Sequence, residues 1–195
     1  MNERALARIE AWARASTLDF RHDAATGFGA VFSACGQWRY LLWRIPGPRA
    51  AICGMGLLNP SPADHQGDDP TIRRCRSRAR QAGCAGLLVW NLFAWRATRP
   101  ADLKRAADPV GPANDAAIAL AISLSRRTIL AWGHHGGHRD RDREVLGLCA
   151  ATPARFATLG LTAGGRPRHP LYLPAATRLR TWTDPGSDPD LPSKR

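Results

Sequence analysis

Long apolar runs are missing from this chain of 195 residues. No stretch reaches the roughly 18 consecutive apolar residues that a spanning helix needs, so no membrane partner is expected. Cys-x-x-Cys pairs are missing as well. The cysteines Cys35, Cys53, Cys75, Cys84 and Cys149 are odd in number, which argues against a disulfide framework or a zinc ribbon. A four-cysteine iron–sulfur site built from the first four of them has no supporting spacing. Reduced, mostly buried thiols are the expectation, and no metal or cofactor is assigned. The first residues lack the continuous apolar core of a secretion signal. Glu3, Glu10, Arg4, Arg8 and Arg14 instead alternate with apolar residues as in a short amphipathic helix, and the expected location is the cytoplasm. Lysine is almost absent: apart from Lys104 and Lys194, all of the 28 basic residues are arginine. A GC-rich coding sequence produces such a preference, but it changes which basic residue is used more than how many. Against 16 acidic residues the net charge is +12, which points to a polyanionic partner, DNA or another nucleic acid.

The chain shows no internal repeat, and its apolar share of 44% is ordinary for a globular domain. One α/β domain over residues 1–183 is expected, followed by a Pro-, Asp- and Ser-rich tail, 184–195, expected to be disordered. After the first helix and a polar connection over 18–26, residues 28–34 and 38–45 read as a hairpin around Cys35-Gly36-Gln37. The pattern then becomes strand, helix, strand. Apolar runs over 50–58, 86–91, 128–132 and 155–161 read as buried strands. Helices are predicted over 71–81, 114–125 and 140–149, the first with Pro70 at its opening position and Asp68 or Asp69 as its cap. Alternation of this kind implies parallel βαβ units with strand ends on one edge.

Polar residues cluster at those ends. The run 50–58 stops at Asn59-Pro60, and the residue before a proline is pushed into an extended or turn conformation. Asn91 closes the second strand, Trp132-Gly133-His134 the third, and Arg168-His169-Pro170 follows the fourth. Convergence at the carboxyl edge of a parallel sheet is the main argument for a binding or active site. Plainer roles stay open: Asn59 and Asn91 as turn caps, Trp132 as core, and the arginines from Arg73 to Arg80 as a solvated helix face. His134, His135 and His138 have a spacing compatible with metal ligation, but no acidic fourth ligand is fixed.

Several longer stretches carry a resemblance. They are Leu58-Asn59-Pro60-Ser61-Pro62-Ala63-Asp64, Asp68-Asp69-Pro70-Thr71-Ile72-Arg73-Arg74-Cys75, Asn91-Leu92-Phe93-Ala94-Trp95-Arg96-Ala97-Thr98, Ala107-Asp108-Pro109-Val110-Gly111-Pro112, Ala131-Trp132-Gly133 and Pro167-Arg168-His169-Pro170-Leu171-Tyr172-Leu173. Through them the chain is identified as a member of the DUF1643 family, which carries no assigned function.

More distantly, the motif order resembles the uracil-DNA glycosylase superfamily. Asn59-Pro60 stands where that superfamily has Asp-Pro or Asn-Pro, and Asn91 where it has a base-reading asparagine. Trp132-Gly133 stands at the end of its third strand, and His169-Pro170 where its intercalating loop opens. Leu171 replaces the usual serine after His-Pro, and Asn59 replaces the acidic water-activating residue. The resemblance implies a three-layer αβα sandwich with a central, mainly parallel four-stranded sheet, plus an N-terminal helix and hairpin. It implies a DNA glycosylase, a hydrolase of DNA repair that cleaves the N-glycosidic bond of a damaged or modified base. His169 would donate to the base oxygen and Asn59 would hold a water, with Asp64 or Asp69 as the base. Asn91 would read a flipped base, with Phe93 or Trp95 stacking on it and Trp132 and Gly133 completing the pocket. Arg73, Arg74 and Arg168 would hold phosphates. Two alternatives stand beside this reading: a non-catalytic nucleic-acid binder, and a metal-assisted enzyme, with Mg²⁺ as the metal, on a free nucleotide or nucleoside that uses the acidic block Asp64, Asp68 and Asp69.

Overall fold

The computed structural model describes residues 2–61 and 66–182. The chain opens with helix α1 (Asn2–Ala15), whose Ala5, Ile9 and Ala13 fall at helical spacing and are buried. Strands β1 (Asp19–Asp23), β2 (Phe28–Phe32), β3 (Arg39–Arg44) and β4 (Ile52–Leu57) follow, then α2 (Pro70–Gln81) and β5 (Gly86–Asn91). The remaining elements are α3 (Pro100–Arg105), α4 (Asn114–Leu124), β6 (Arg127–Leu130), α5 (Arg141–Ala150), β7 (Phe156–Thr158) and β8 (Arg180–Thr181). All eight strands join one mixed sheet in the order β1-β2-β3-β5-β4-β6-β7-β8.

This sheet is larger than the four-stranded one expected. β4 runs parallel to β5 and β6, and β6 parallel to β7. The hairpin β2–β3 is not an appendage, because β3 pairs antiparallel with β5 through Leu42, Trp43 and Arg44. The supposed polar connection after α1 is the edge strand β1, paired antiparallel with β2. Its sequence, Asp-Phe-Arg-His-Asp, is largely exposed and shows no apolar alternation, so no strand signal is present. Short β8 closes the other edge against β7. The expected tail over 184–195 lies outside the described residues.

Helices cover both faces. α1, α4 and α5 pack on one, where Ile9, Ile118, Ile122 and Val145 meet Trp43, Leu88 and Trp90. α2 packs on the other, where Ile72, Cys75 and Ala79 meet Met55, Leu87 and Val89. The alternation Leu87, Leu88, Val89, Trp90 between the two clusters is the period of two that a doubly covered strand requires. Beyond Ile52, β4 contributes only hydrogen to the first face, at Gly54 and Gly56. A Cβ on Gly56 would lie 2.5 Å from the Trp90 ring, so glycine is what lets that indole cross the strand.

Two arginines buried in the fold hold backbone rather than ligand. Arg78 of α2 is fully buried and donates to the carbonyls of Pro174, Ala175 and Thr177 at 2.6–2.9 Å. Arg44 donates to Asp68 at 2.7 Å and to the Gly67 carbonyl at 2.6 Å, and lies over the Phe28 ring at 4.2 Å. Asp68 also accepts from Arg76 at 2.7 Å. Burial pushes the Asp68 carboxyl up, but the hydrogen bonds from Arg76 and Arg44 outweigh it and hold the group below its ordinary value. Arg78→Ala removes a buried guanidinium that donates to three loop carbonyls. We expect it to lower unfolding free energy by about 3 kcal/mol in urea titration, with Arg78→Lys recovering only part because one ammonium cannot reproduce the guanidinium fork.

Candidate functional site

A cavity of about 440 Å³ opens at the carboxyl edge of the parallel strands. β4 enters it through Leu57, Leu58 and Asn59, the segment after β6 through Trp132 and Gly133, and the segment after β7 through Arg168 and His169. Its size suits a single small ligand or a base-sized group.

Asn59 is half-buried in the wall. Its Nδ2 donates to the Ala97 carbonyl at 2.6 Å and to the Pro60 carbonyl at 3.2 Å. The same loops are joined through Ala97 N–H to the Pro60 carbonyl at 3.3 Å. With both amide protons engaged, Oδ1 is the atom Asn59 can still offer, and it is an acceptor only.

His169 sits opposite in the chain order but on the same cavity. Its Nδ1 accepts from the Leu171 N–H at 3.3 Å, which places the ring proton on Nε2 in the neutral tautomer. Burial lowers its pKa to about 4, with Asp69 pulling weakly the other way. At neutral pH the site therefore presents an uncharged imidazole N–H. Gly133 shapes this arrangement: its φ is +77°, its N–H donates to the Pro167 carbonyl at 2.7 Å, and a Cβ there would lie 3.3 Å from the His169 Cβ. The Tyr172 ring, 79% exposed, stands 5.6 Å from the imidazole and forms part of the rim.

Trp132 reaches the cavity from the core, with 1% of its surface exposed. Its Nε1 has no hydrogen-bond partner among the described residues. Arg39, also 1% exposed, contributes a buried cation whose Nη1 donates to the Ser61 carbonyl at 3.4 Å. Nothing in the sequence pattern marks Arg39, because its place depends on how the hairpin docks onto β5. Ser61, Thr71, Thr98, His134, His135 and Thr162 add to the polar lining. Burial, and then Lys104 and His134, lower the pKa of His135.

Other candidate residues lie elsewhere. Asn91 pairs level with Leu57, still inside the strand register, and is 1% exposed. It does not line the cavity, although its Oδ1 has no partner among the described residues. Phe93 is fully buried against His138 at 5.6 Å. Asp69 is the N-cap of α2: it accepts from Ile72 N–H at 2.7 Å and from the Ser61 hydroxyl. Arg73 and Arg74 ride on α2 beyond Thr71 and do not line the cavity, and Arg73 donates to the Asp68 carbonyl at 2.6 Å. Asp64 lies outside the described residues. His134, His135 and His138 do not gather, and no group of three potential metal ligands occurs among the described residues. Cys53, Cys75, Cys84 and Cys149 are buried free thiols, while Cys35 is exposed.

The chain belongs to the DUF1643 family, whose model, described as a protein of unknown function, matches residues 39–171. That span contains every cavity residue named above except Tyr172. No curated protein and no solved structure matches the chain.

The neutral His169 has a consequence for acid stability. Its folded pKa lies below the ordinary 6.5, so between pH 6.5 and 4 the unfolded chain binds a proton that the folded chain refuses. Stability is fully present above pH 6.5 and falls as the pH drops through that window, by at most about 3 kcal/mol for this group. A His169→Gln protein is expected to show a flatter stability profile across the same window in denaturant titrations.

Proposed function

Starting from a family without an assigned activity, we propose that this protein binds nucleic acid and takes one everted base into the cavity between Asn59, Trp132 and His169. We further propose that it cleaves the N-glycosidic bond of that base, as a DNA glycosylase whose strands β5, β4, β6 and β7 form the parallel centre of a uracil-DNA glycosylase-like fold. The observation that carries the reading is the pairing, in one cavity, of an acceptor-only Asn59 with a neutral His169 N–H donor. A base offers the matching donor and acceptor edges, and the net charge of +12 suits a polyanion. Cytoplasmic location belongs to the same proposal; no helix among the described residues is long and apolar enough to cross a membrane.

In this reaction the bond between the sugar C1′ and the base nitrogen breaks, and its electron pair leaves with the base. His169 Nε2–H donates to the base oxygen on which the negative charge settles. A water oxygen bonds to C1′, and the departing base takes up the water's proton. Asn59 Oδ1 orients that water but does not deprotonate it. The described cavity wall contains no carboxylate, since Asp69 is committed to Ser61 and to the α2 cap. Slow turnover is the consequence. The same commitment of Asp69 favours, as a second reading, a binder that keeps the pocket without the chemistry. The Mg²⁺-assisted alternative draws no support from Asp68, which is already held by Arg44 and Arg76.

The test uses oligonucleotides carrying a panel of damaged or modified bases, with free-base release followed by chromatography and binding followed by anisotropy across salt. Affinity is expected to fall linearly on a log–log salt plot. Asn59→Ala and His169→Gln are each expected to reduce base release by about 100-fold while changing affinity far less. Salt-sensitive binding without any release would select the second reading. Absence of binding to every oligonucleotide at low salt would sink both.

A further inference from the structure

A second cavity, of about 670 Å³, lies at the opposite edge of the sheet. It sits where β4 and β6 begin, with Ile52 and Ala51 on one side and Ser125 and Arg126 on the other, and α1 closes it with Arg4, Ala5 and Arg8. Three arginines thus border one opening.

What sets them apart is that three arginines without an acidic partner among the described residues meet at one cavity, whereas several other surface arginines are paired. Arg14 of the same helix pairs with Glu10, Arg21 with Asp19, and Arg99 and Arg105 with Asp102. Arg4, Arg8 and Arg126 have no carboxylate partner among the described residues, whereas Arg8 donates to the Ser123 hydroxyl at 3.2 Å. Arg4 and Arg8 are also four apart on one helix, where like charges repel by a few tenths of a kcal/mol. Folding brings Arg126 to the same opening, its backbone N–H fixed to the Ile52 carbonyl at 2.9 Å. Three uncompensated arginines over a floor that includes Ala5, Ile52 and Leu124 are the arrangement an anion with an apolar body would neutralise.

We propose that this cavity is an oligophosphate site, in which Arg4, Arg8 and Arg126 clamp the phosphoryl oxygens of a di- or triphosphate and Ser123 and Ser125 line the entrance. Guanidinium forks match phosphate bidentately, and three of them suit two or three linked phosphoryl groups. The phosphates have two possible sources, a free nucleotide or a nucleic-acid backbone. The site does not depend on the base pocket at the other edge. Arg4 and Arg8 also precede the span matched by the family model, so the clamp is assembled from α1 and the family body together.

Titration calorimetry on the full chain with pyrophosphate, which has no base to enter the other cavity, tests this directly. One-to-one binding is expected, weakened by about tenfold or more for each guanidinium removed in Arg8→Gln and Arg126→Gln proteins. Arg4→Gln, at an exposed position, gives the same loss with an unchanged melting temperature, and His169→Gln leaves pyrophosphate affinity intact. A nucleoside triphosphate and a short single-stranded oligonucleotide form the other two arms. Loss of triphosphate binding in the arginine variants identifies a free nucleotide, and loss of oligonucleotide binding a backbone. Pyrophosphate that does not bind, or binds all three variants as well as the parent, overturns the proposal.

Discussion

Parallel pairing of β4 on both of its sides is the constraint from which the functional geography follows. β4 lies between β5 and β6, so its first residues and its last ones mark the two edges of the sheet. The base-sized cavity uses Leu57, Leu58 and Asn59; the arginine-bordered cavity uses Ala51 and Ile52. The strand can hold this central place because glycine at 54 and 56 leaves room for the side chains crossing it: Trp90 over Gly56, and Thr128 and Ser125 over Gly54. A doubly covered central strand pays no penalty for unpaired backbone and delivers its polar ends to solvent, where ligands meet it.

Buried charge does a different job in each part of the molecule. Arg78 and Arg44 anchor loop carbonyls and a single carboxylate, and Arg141 donates to the Leu92 carbonyl at 3.0 Å while pairing with Asp115 and Glu144. These side chains satisfy backbone that crosses between elements, so the arginine-rich composition is partly structural. The net charge therefore overstates the cation density available to a partner. Arginines that are neither buried nor paired with acid, such as those at the second cavity, carry more of the argument for an anionic ligand than the total does.

The sequence made the strand-end clusters legible because apolar runs that stop abruptly at polar dipeptides need no knowledge of tertiary structure. Asn59, Trp132, Gly133, Arg168 and His169 meet at one cavity for that reason. Asn91 could not be placed by the same rule, since whether a terminal residue points out of a sheet depends on register, and Asn91 is level with Leu57 rather than with Asn59. The site role of Arg39 was hidden differently, and the cap of α2 was legible only as a choice between Asp68 and Asp69. Arg39 lies in a hairpin whose docking onto β5 is a long-range event, and Asp69 is the cap. β1 and β8 are edge strands with polar or very short sequences, and their existence is decided by the strands they join.

Asn59 carries one further consequence. An amide normally hides its polarity, since rotation by half a turn exchanges oxygen and nitrogen at little cost. Here the Ala97 and Pro60 carbonyls forbid that exchange, because the rotated group would set oxygen against oxygen. The wall is thus chemically handed. Such a wall would tell apart two ligands of identical shape that differ only in the direction of a hydrogen bond, such as a ring nitrogen that carries a proton and one that does not. Discrimination of that kind would reside in a single torsion locked by main-chain carbonyls.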